Sequence, residues 1–423
     1  MLQVAFLREH KSEAIDRLSK RMDHAAEVVD TVLALDATRR NLQTQMDAAS
    51  AELNVISKEI GQLFKSGQTE KATLLKQKTA ALKTQKTTFS DSLHATTEKL
   101  EKLLYDLPNL PHPSVPNGNS EDDNEEVFRF GAIPQLHDKA QPHWELAKTY
   151  DIIDFELGNK ITGAGFPVYK GKGARLQRAL INYFLDKNTA AGYHEIQVPH
   201  VVNEASGYGT GQLPDKEGQM YFVGADNLYL IPTGEVPATN IFRDVLMDAN
   251  DFPKKLTTYT PCFRREAGSY GAHVRGLNRL HQFDKVEILR VEHPSESYKA
   301  LDAMVDHVKG ILEELKLPYR ILKLCSGDLG FTSALTYDFE VFSTAQNRWL
   351  EISSVSNFET YQANRLKLRF KNSDGKSELA HTLNGSSLAL PRVLAGILEN
   401  YQTENDILIP EVLIPYTGFD RIN

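Results

Sequence analysis

Phe263 to Glu287 reads FRREAGSYGAHVRGLNRLHQFDKVE. Charged and aromatic residues at its two ends flank a Gly-rich middle, the pattern of two strands joined by a turn. Strand side chains alternate faces, so Arg264 and Glu266 share one face of the first strand. By the same rule His281, Phe283, Lys285 and Glu287 share one face of the second. A cation, an aromatic plate and two carboxylates would then line one surface. From Phe283 to Glu287 the strand rise gives about 13 Å, the span from a nucleotide base to a small group joined at its phosphate. Such a surface has room for ATP and an amine-bearing substrate.

The stretch resembles motif 2 of the class II aminoacyl-tRNA synthetases, in the version carried by the bacterial-type seryl-tRNA synthetases: FRxEAGS, a loop ending in RG, then HQFxKVE. The resemblance implies that Arg264 holds the α-phosphate and the amino acid carboxylate. It also implies that Glu266 accepts from the adenine amino group, that Phe283 stacks on adenine and that Glu287 contacts serine. Arg265 and Leu280 join the ATP-binding set on the same grounds.

Three further segments carry chemistry. Ile231 to Pro237, IPTGEVP, sets a hydroxyl and a carboxylate two residues apart between prolines that stiffen the backbone. It resembles the TxE serine loop of the same family, which implies that Glu235 takes the substrate ammonium while Thr233 and Gly234 help fix the amino acid. Leu350 to Phe358, LEISSVSNF, is a strand-like run in which Glu351 beside Ser354 offers the hard oxygen ligands that magnesium prefers. It resembles the family's E-[IV]-S-S segment followed by SNFxxxQxxR, and so implies ATP contacts for Glu351, Ile352, Ser353 and Ser354. Thr382 to Arg392, TLNGSSLALPR, precedes a helical pattern, and Pro391 suits a first helical turn. A cation gains nothing from the helix dipole there, so Arg392 makes sense if it reaches a phosphate. The segment resembles class II motif 3, which implies Arg392 on the γ-phosphate and Ser386 on the serine side.

Ahead of these lies a different architecture. Ala25, Val28, Val32 and Leu35, then Leu42, Met46, Ala49, Leu53, Ile56, Ile60 and Leu63, follow the three-four spacing of a coiled-coil seam. Lys65-Ser66-Gly67-Gln68 can reverse the chain, and a second run carries Leu75, Leu82, Phe89, Leu93, Leu100 and Leu103. The pattern predicts an antiparallel helical hairpin over residues 1–105, with Val28 to Phe64 spanning about 55 Å. Lys65, Lys71, Lys76, Lys78 and Lys83 cluster near its tip against the single acid Glu70, a footprint for an RNA backbone. Residues 106–131, rich in Pro, Gly and acids, read as a linker to a catalytic domain over 132–423. Inside that domain Ala174 to Leu185 reads as an amphipathic helix and Gly192 to Val198 as a strand ended by Pro199. The pair resembles class II motif 1, which implies a homodimer.

Composition bounds the rest. With 423 residues, 41% hydrophobic and 25% charged, the chain is of ordinary globular make-up and long enough for two or three domains. Its N-terminus is broken by charge and offers no apolar signal or spanning segment, so a soluble cytoplasmic protein with no membrane partner is expected. Cys262 and Cys325 alone cannot build a disulfide framework or a cysteine-rich zinc site, and the 13 His show no metal-ligand spacing. No zinc is expected, only Mg2+ arriving with ATP. A net charge of −8 argues against coating by nucleic acid at large, so no DNA partner is expected and any RNA must use a local basic surface.

The expected fold is α+β: a class II synthetase antiparallel sheet flanked by helices, with an N-terminal antiparallel coiled-coil hairpin arm. The resemblance covers essentially the whole chain and implies two steps, activation of L-serine to seryl-adenylate and transfer to tRNA(Ser), with tRNA(Sec) as a further acceptor. Two other classes compete. A catalytically dead RNA-binding relative would not need the phosphate arginines and Glu351. Carrier-protein ligases resembling this family lack the long arm, and the threonine enzyme uses a zinc site that this sequence does not display.

Overall fold

Thr, Tyr, Val and Ile crowd Lys254–Phe263 and Gln282–Glu292, and these β-branched and aromatic residues form a long antiparallel ladder from Lys254–Val291 to Phe263–Gln282. The structure, a computed structural model, describes residues 1–266 and 274–423. The Gly-rich turn expected within motif 2 falls on residues 267–273 and lies outside the described residues. Two compact units emerge, Leu2–Pro108, and Asn109–Asn423 together with Met1.

The first unit is helical: α1 (Val4–Glu9), α2 (Lys11–Ser19), α3 (Ala25–Lys65) and α4 (Thr69–Asp106). Helices α3 and α4 run 41 and 38 residues and pack along each other as the expected hairpin. Gly67 at the reversal takes φ 77°, a left-handed backbone that Gly adopts without a Cβ clash. The seam from Leu42 to Leu63 is buried or half-buried at every expected position. Nearer the base the expected Ala25, Val28, Val32 and Leu35 are likewise buried or half-buried, and Val29 and Asp36 are buried beside them, because α1 and α2 also pack there on α3. Asp36 is buried yet satisfied, accepting from Arg8 at 3.0 Å, Arg39 at 2.8 Å and Arg40 at 2.9 Å.

The second unit is built on an eight-stranded sheet. Its strands are β1 (Glu125–Phe130), β2 (His194–Glu195), β3 (Lys254–Phe263), β4 (Gln282–Glu292), β5 (Tyr319–Lys323), β6 (Leu335–Ser343), β7 (Arg348–Asn357) and β8 (His381–Ala389), in the order β1-β5-β6-β7-β8-β4-β3-β2. All pairings are antiparallel except that of β2 with β3. Helices Gly171–Ala190, Ser297–Glu314 and Leu390–Asn400 contribute Leu176, Phe184, Met304, Val308, Leu394 and Ile397 to one core with Val286 and Ile288 of β4. Each such side chain contributes about 2 kcal/mol by leaving water. The alternate residues of β4, Lys285 and Glu287, are thereby directed to the opposite face of the sheet.

Several expectations change. Strand β3 stops at Phe263, so Arg264 and Glu266 do not alternate along it. Arg264 N still donates to His281 O at 2.9 Å, but Arg265 N turns to Gln219 O at 2.9 Å, and Glu266 sits at φ 48°. The motif 1-like strand is only His194–Glu195, while its helix extends to Gly171–Ala190. The stretch 106–131 is not a free tether. Asn109 N and His112 N donate to Phe331 O and Ala334 O at 2.9 and 2.7 Å, and Glu125–Phe130 pairs with β5 as the sheet's edge. The acidic residues Glu121, Asp122, Asp123, Glu125 and Glu126 face solvent, while the packed body satisfies backbone groups of the segment.

Candidate active site

Two bulges shape the site. Phe339 pairs with Ser353 while Glu340 pairs with Glu351, which leaves Ile352 as an extra residue in β7. Glu351 and Ser354, three apart, would face opposite ways on a regular strand; the bulge lets both reach one side. Strand β8 does the same. Lys285 pairs with Ala389 and Glu287 with Ser386, so β8 uses three steps where β4 uses two.

The result is a cavity of about 320 Å³ that brings together Arg264, Glu266, Leu280, Phe283, Glu351, Ile352, Ser353, Ser354, Ser386 and Arg392. Arg392 is held by Nε to Asn278 O at 2.9 Å and by Nη1 to Glu351 O at 2.8 Å and Glu351 Oε2 at 3.4 Å. The Arg264 guanidinium donates to Pro232 O at 3.2 Å and lies over the Phe283 ring, 5.3 Å from its centroid. Glu266 forms an ion pair with Arg279. Arg265 does not line this cavity.

Behind it Thr233, Glu235 and Glu287 form a second, buried cluster. Lys285 belongs to both: it lines the cavity, and its Nζ lies 2.8 Å from Thr233 Oγ1 and 2.8 Å from Glu287 Oε2. Thr233 Oγ1 donates to Glu287 Oε2 at 3.3 Å. Gln362 Nε2 donates to Glu235 Oε1 at 2.6 Å, and Thr382 fixes the same amide by donating to its Oε1 at 2.8 Å. Burial first, and the neighbouring Glu287 charge second, push the Glu235 carboxyl up from its ordinary range, against the hydrogen bond from Gln362. Two carboxylates around one ammonium leave the cluster favouring a further cation, and an amino acid's ammonium is one. Gly234 has an ordinary backbone, and a Cβ there would stand 3.1 Å from Thr260 Oγ1 and 3.2 Å from Thr258 Cγ2.

Three side chains tied to these groups carried no role in the sequence reading. Lys285 was placed on the right face without a role, and Gln362 stood inside a quoted motif without one. Asp338 on β6 gave no signal at all. It accepts from Ser354 Oγ, and its carboxyl is raised well above the usual range, first by burial and then by the Glu351 charge. In the helical unit, Lys78 pairs with Glu52 at 2.7 Å and Lys76 lies over Phe64 at 4.7 Å. Lys65, Lys71 and Lys83 are exposed and have no acidic partner among the described residues.

Residues 1–111 match the family "Seryl-tRNA synthetase N-terminal domain", and residues 221–401 match "tRNA synthetase class II core domain (G, H, P, S and T)". A serine–tRNA ligase of Salinibacter ruber is 48% identical over 100% of this chain and 99% of its own length. The chain belongs to the seryl-tRNA synthetase family. Another serine–tRNA ligase, from Akkermansia muciniphila, is 45% identical over 100% of the chain and 99% of its own length. The solved seryl-tRNA synthetase of Pyrococcus horikoshii complexed with ATP superposes with a TM-score of 0.92 at 31% identity, covering 100% of this chain and 99% of that one. Membership of the seryl-tRNA synthetases accounts for both units: the hairpin lies within the N-terminal match, and β4, β7 and β8 lie within the core match. Among the described residues no helix is long and apolar enough to cross a membrane.

Proposed function

We propose that the chain joins L-serine to tRNA(Ser) in two steps, with activation in the 320 Å³ cavity and the buried cluster behind it. The observation that carries this reading is Lys285, which ties a cavity lined by Arg264 and Arg392 to the buried hydroxyl of Thr233 and carboxylate of Glu287, polar partners that suit a serine hydroxyl. Adenine lies against Phe283 and Leu280 with its amino group toward Glu266. Arg264 orients the α-phosphate and the serine carboxylate for attack, Arg392 neutralises the γ-phosphate, and Glu235 receives the serine ammonium. None of these groups acts as a covalent nucleophile, so the rate gain comes from positioning and charge neutralisation. Glu287 and Ser386 take the serine hydroxyl. Polar groups that lose their partner reject alanine strongly, whereas threonine must be excluded by shape.

Glu351 and Ser354 present hard oxygen donors on one side of β7 and fit a Mg2+ ion held jointly with phosphate oxygens. Among the described residues no three His, Cys, Asp or Glu side chains cluster to hold a metal alone. Bound there, Mg2+ supplies Lewis-acid charge to the phosphates. The tRNA acceptor is engaged by the helical unit over residues 1–105 and its lysines, tRNA(Sec) is a further substrate, and the enzyme works in the cytoplasm. Pyrophosphate exchange measured across the amino acids tests the activity. Serine is expected to support it at least about 100-fold better than alanine, threonine or proline; comparable exchange with proline or threonine would move the chain to another class II specificity.

The working unit in this reading is a homodimer. Ile241 is 51% exposed beside an apolar hollow lined by Ile196, Phe242, Pro253 and Leu256, next to the motif 1-like β2. Sedimentation is expected to give twice the 47.5 kDa of one chain. An active species sedimenting as a single chain at working concentration would refute the dimer.

A further inference from the structure

We propose that Glu399 and His143 are positioning residues for the ATP site, acting through the main chain of Leu277 and Asn278 on the guanidinium of Arg392. The inference rests on reading the 320 Å³ cavity as the ATP site, and goes beyond it by naming what holds one of its arginines.

Arg392 and Glu399 are seven residues apart on the Leu390–Asn400 helix, close to two full turns, so they project from nearly the same side. Arg392 reaches the cavity. Glu399, at the other end, is fully buried together with His143. Its Oε1 accepts from His143 N at 2.9 Å, His143 Nδ1 at 2.7 Å and Gln346 Nε2 at 2.8 Å, and its Oε2 accepts from Ser343 Oγ. Burial alone would raise this carboxyl, but hydrogen bonds from His143 and Ser343 outweigh it and hold Glu399 below the usual range. A buried carboxylate this well satisfied is a fixed point in the fold.

Two branches lead from that point to consecutive residues. In the first, Leu277 N donates to His143 Nε2 at 2.8 Å. Nε2 is therefore an acceptor, and the ring proton sits on Nδ1, facing Glu399. Gly276, at φ 68°, lets the chain close over the imidazole, since a Cβ there would lie 2.3 Å from His143 Nε2. In the second branch, Gln346 Oε1 accepts from Asn278 Nδ2 at 2.8 Å. The Asn278 carbonyl then accepts from Arg392 Nε at 2.9 Å. The circuit closes on the helix where it began, so Arg392 is anchored through its own backbone and again through Glu399, His143 and Gln346. A guanidinium aimed at a phosphate loses much of its effect when its plane can swing.

The test uses the full-length chain in serine-dependent pyrophosphate exchange. Glu399→Gln and His143→Gln are each expected to raise the KM for ATP about tenfold while the KM for serine changes less than about twofold. In an Arg392→Lys background, where no Nε meets Asn278, Glu399→Gln should add less than about twofold. Should either variant fail to fold, Gln346→Leu cuts only the second branch from a half-buried loop and is expected to raise the KM for ATP about threefold. Unchanged KM for ATP, equal shifts in both KM values, or a full effect persisting without Arg392 would each overturn the proposal. If the wild type itself exchanged no pyrophosphate with serine, the reading of the cavity would fail instead.

Discussion

Glu287→Ala is expected to lower serine-dependent pyrophosphate exchange about a thousand-fold while ATP binding, followed by equilibrium titration, stays measurable. The magnitude comes from the geometry. Glu287 is buried, 2.8 Å from the equally buried Lys285 ammonium, and its Oε2 also accepts from Thr233. Truncating one partner of a buried, hydrogen-bonded charge pair in a binding site costs about 4 kcal/mol of binding, close to three powers of ten. Lys285 would turn toward Glu235, taking the carboxylate proposed for the serine ammonium, so the loss falls on serine. The adenine-facing groups Glu266, Leu280 and Phe283 do not depend on Glu287 and should still bind nucleotide. Glu287→Gln keeps the volume and one acceptor, and should fall between the wild type and Ala. Wild-type exchange in Glu287→Ala would make Glu287 a bystander.

The contrast between what was legible in sequence and what was not follows the range of each signal. Phe283, Lys285 and Glu287 could be placed on one face because a single strand's alternation decides it, and β4 spans all three. The hairpin seam from Leu42 to Leu63 was legible for the same reason, being a local period. Glu351 with Ser354 was assigned by resemblance, while the physical device that unites them, the extra residue Ile352, depends on how β6 pairs with β7. Pairing register is not written in one strand. Asp338, Gln362 and the circuit from Glu399 through His143 to Leu277 join residues remote in sequence, and none has a local pattern. The added burial of Val29 and Asp36 has the same origin, since α1 and α2 cover that part of α3. Edge strand β1 was missed because its hydrophobic alternation, Val127 aside, is diluted by Glu125, Glu126 and Arg129, as edge strands commonly are.

Cutting back the hairpin is expected to separate the two half-reactions. Every residue proposed for ATP or serine belongs to the Asn109–Asn423 unit, whereas the exposed lysines lie in Leu2–Pro108. Removing Asn41 to Leu93 with a short Gly/Ser closure deletes the outer seam and the tip, but keeps Asp36 with Arg8, Arg39 and Arg40 and the packing of α1 and α2 on α3. Serine activation should stay within about twofold of the wild type, since no activating group is touched. Aminoacylation should fall by a factor of about 1,000 or more, because losing several phosphate contacts removes most of the nonspecific attraction for RNA. A finer version neutralises Lys65, Lys71 and Lys83 to Gln; Lys76 and Lys78 are poorer choices, being engaged with Phe64 and Glu52. Each lost contact should reduce the slope of log K against log salt by about 0.7–0.9, so the triple variant should bind more weakly and flatten by roughly two units. Normal charging by the shortened chain, or an undiminished slope in the triple variant, would reassign the hairpin to a structural or protein-binding role.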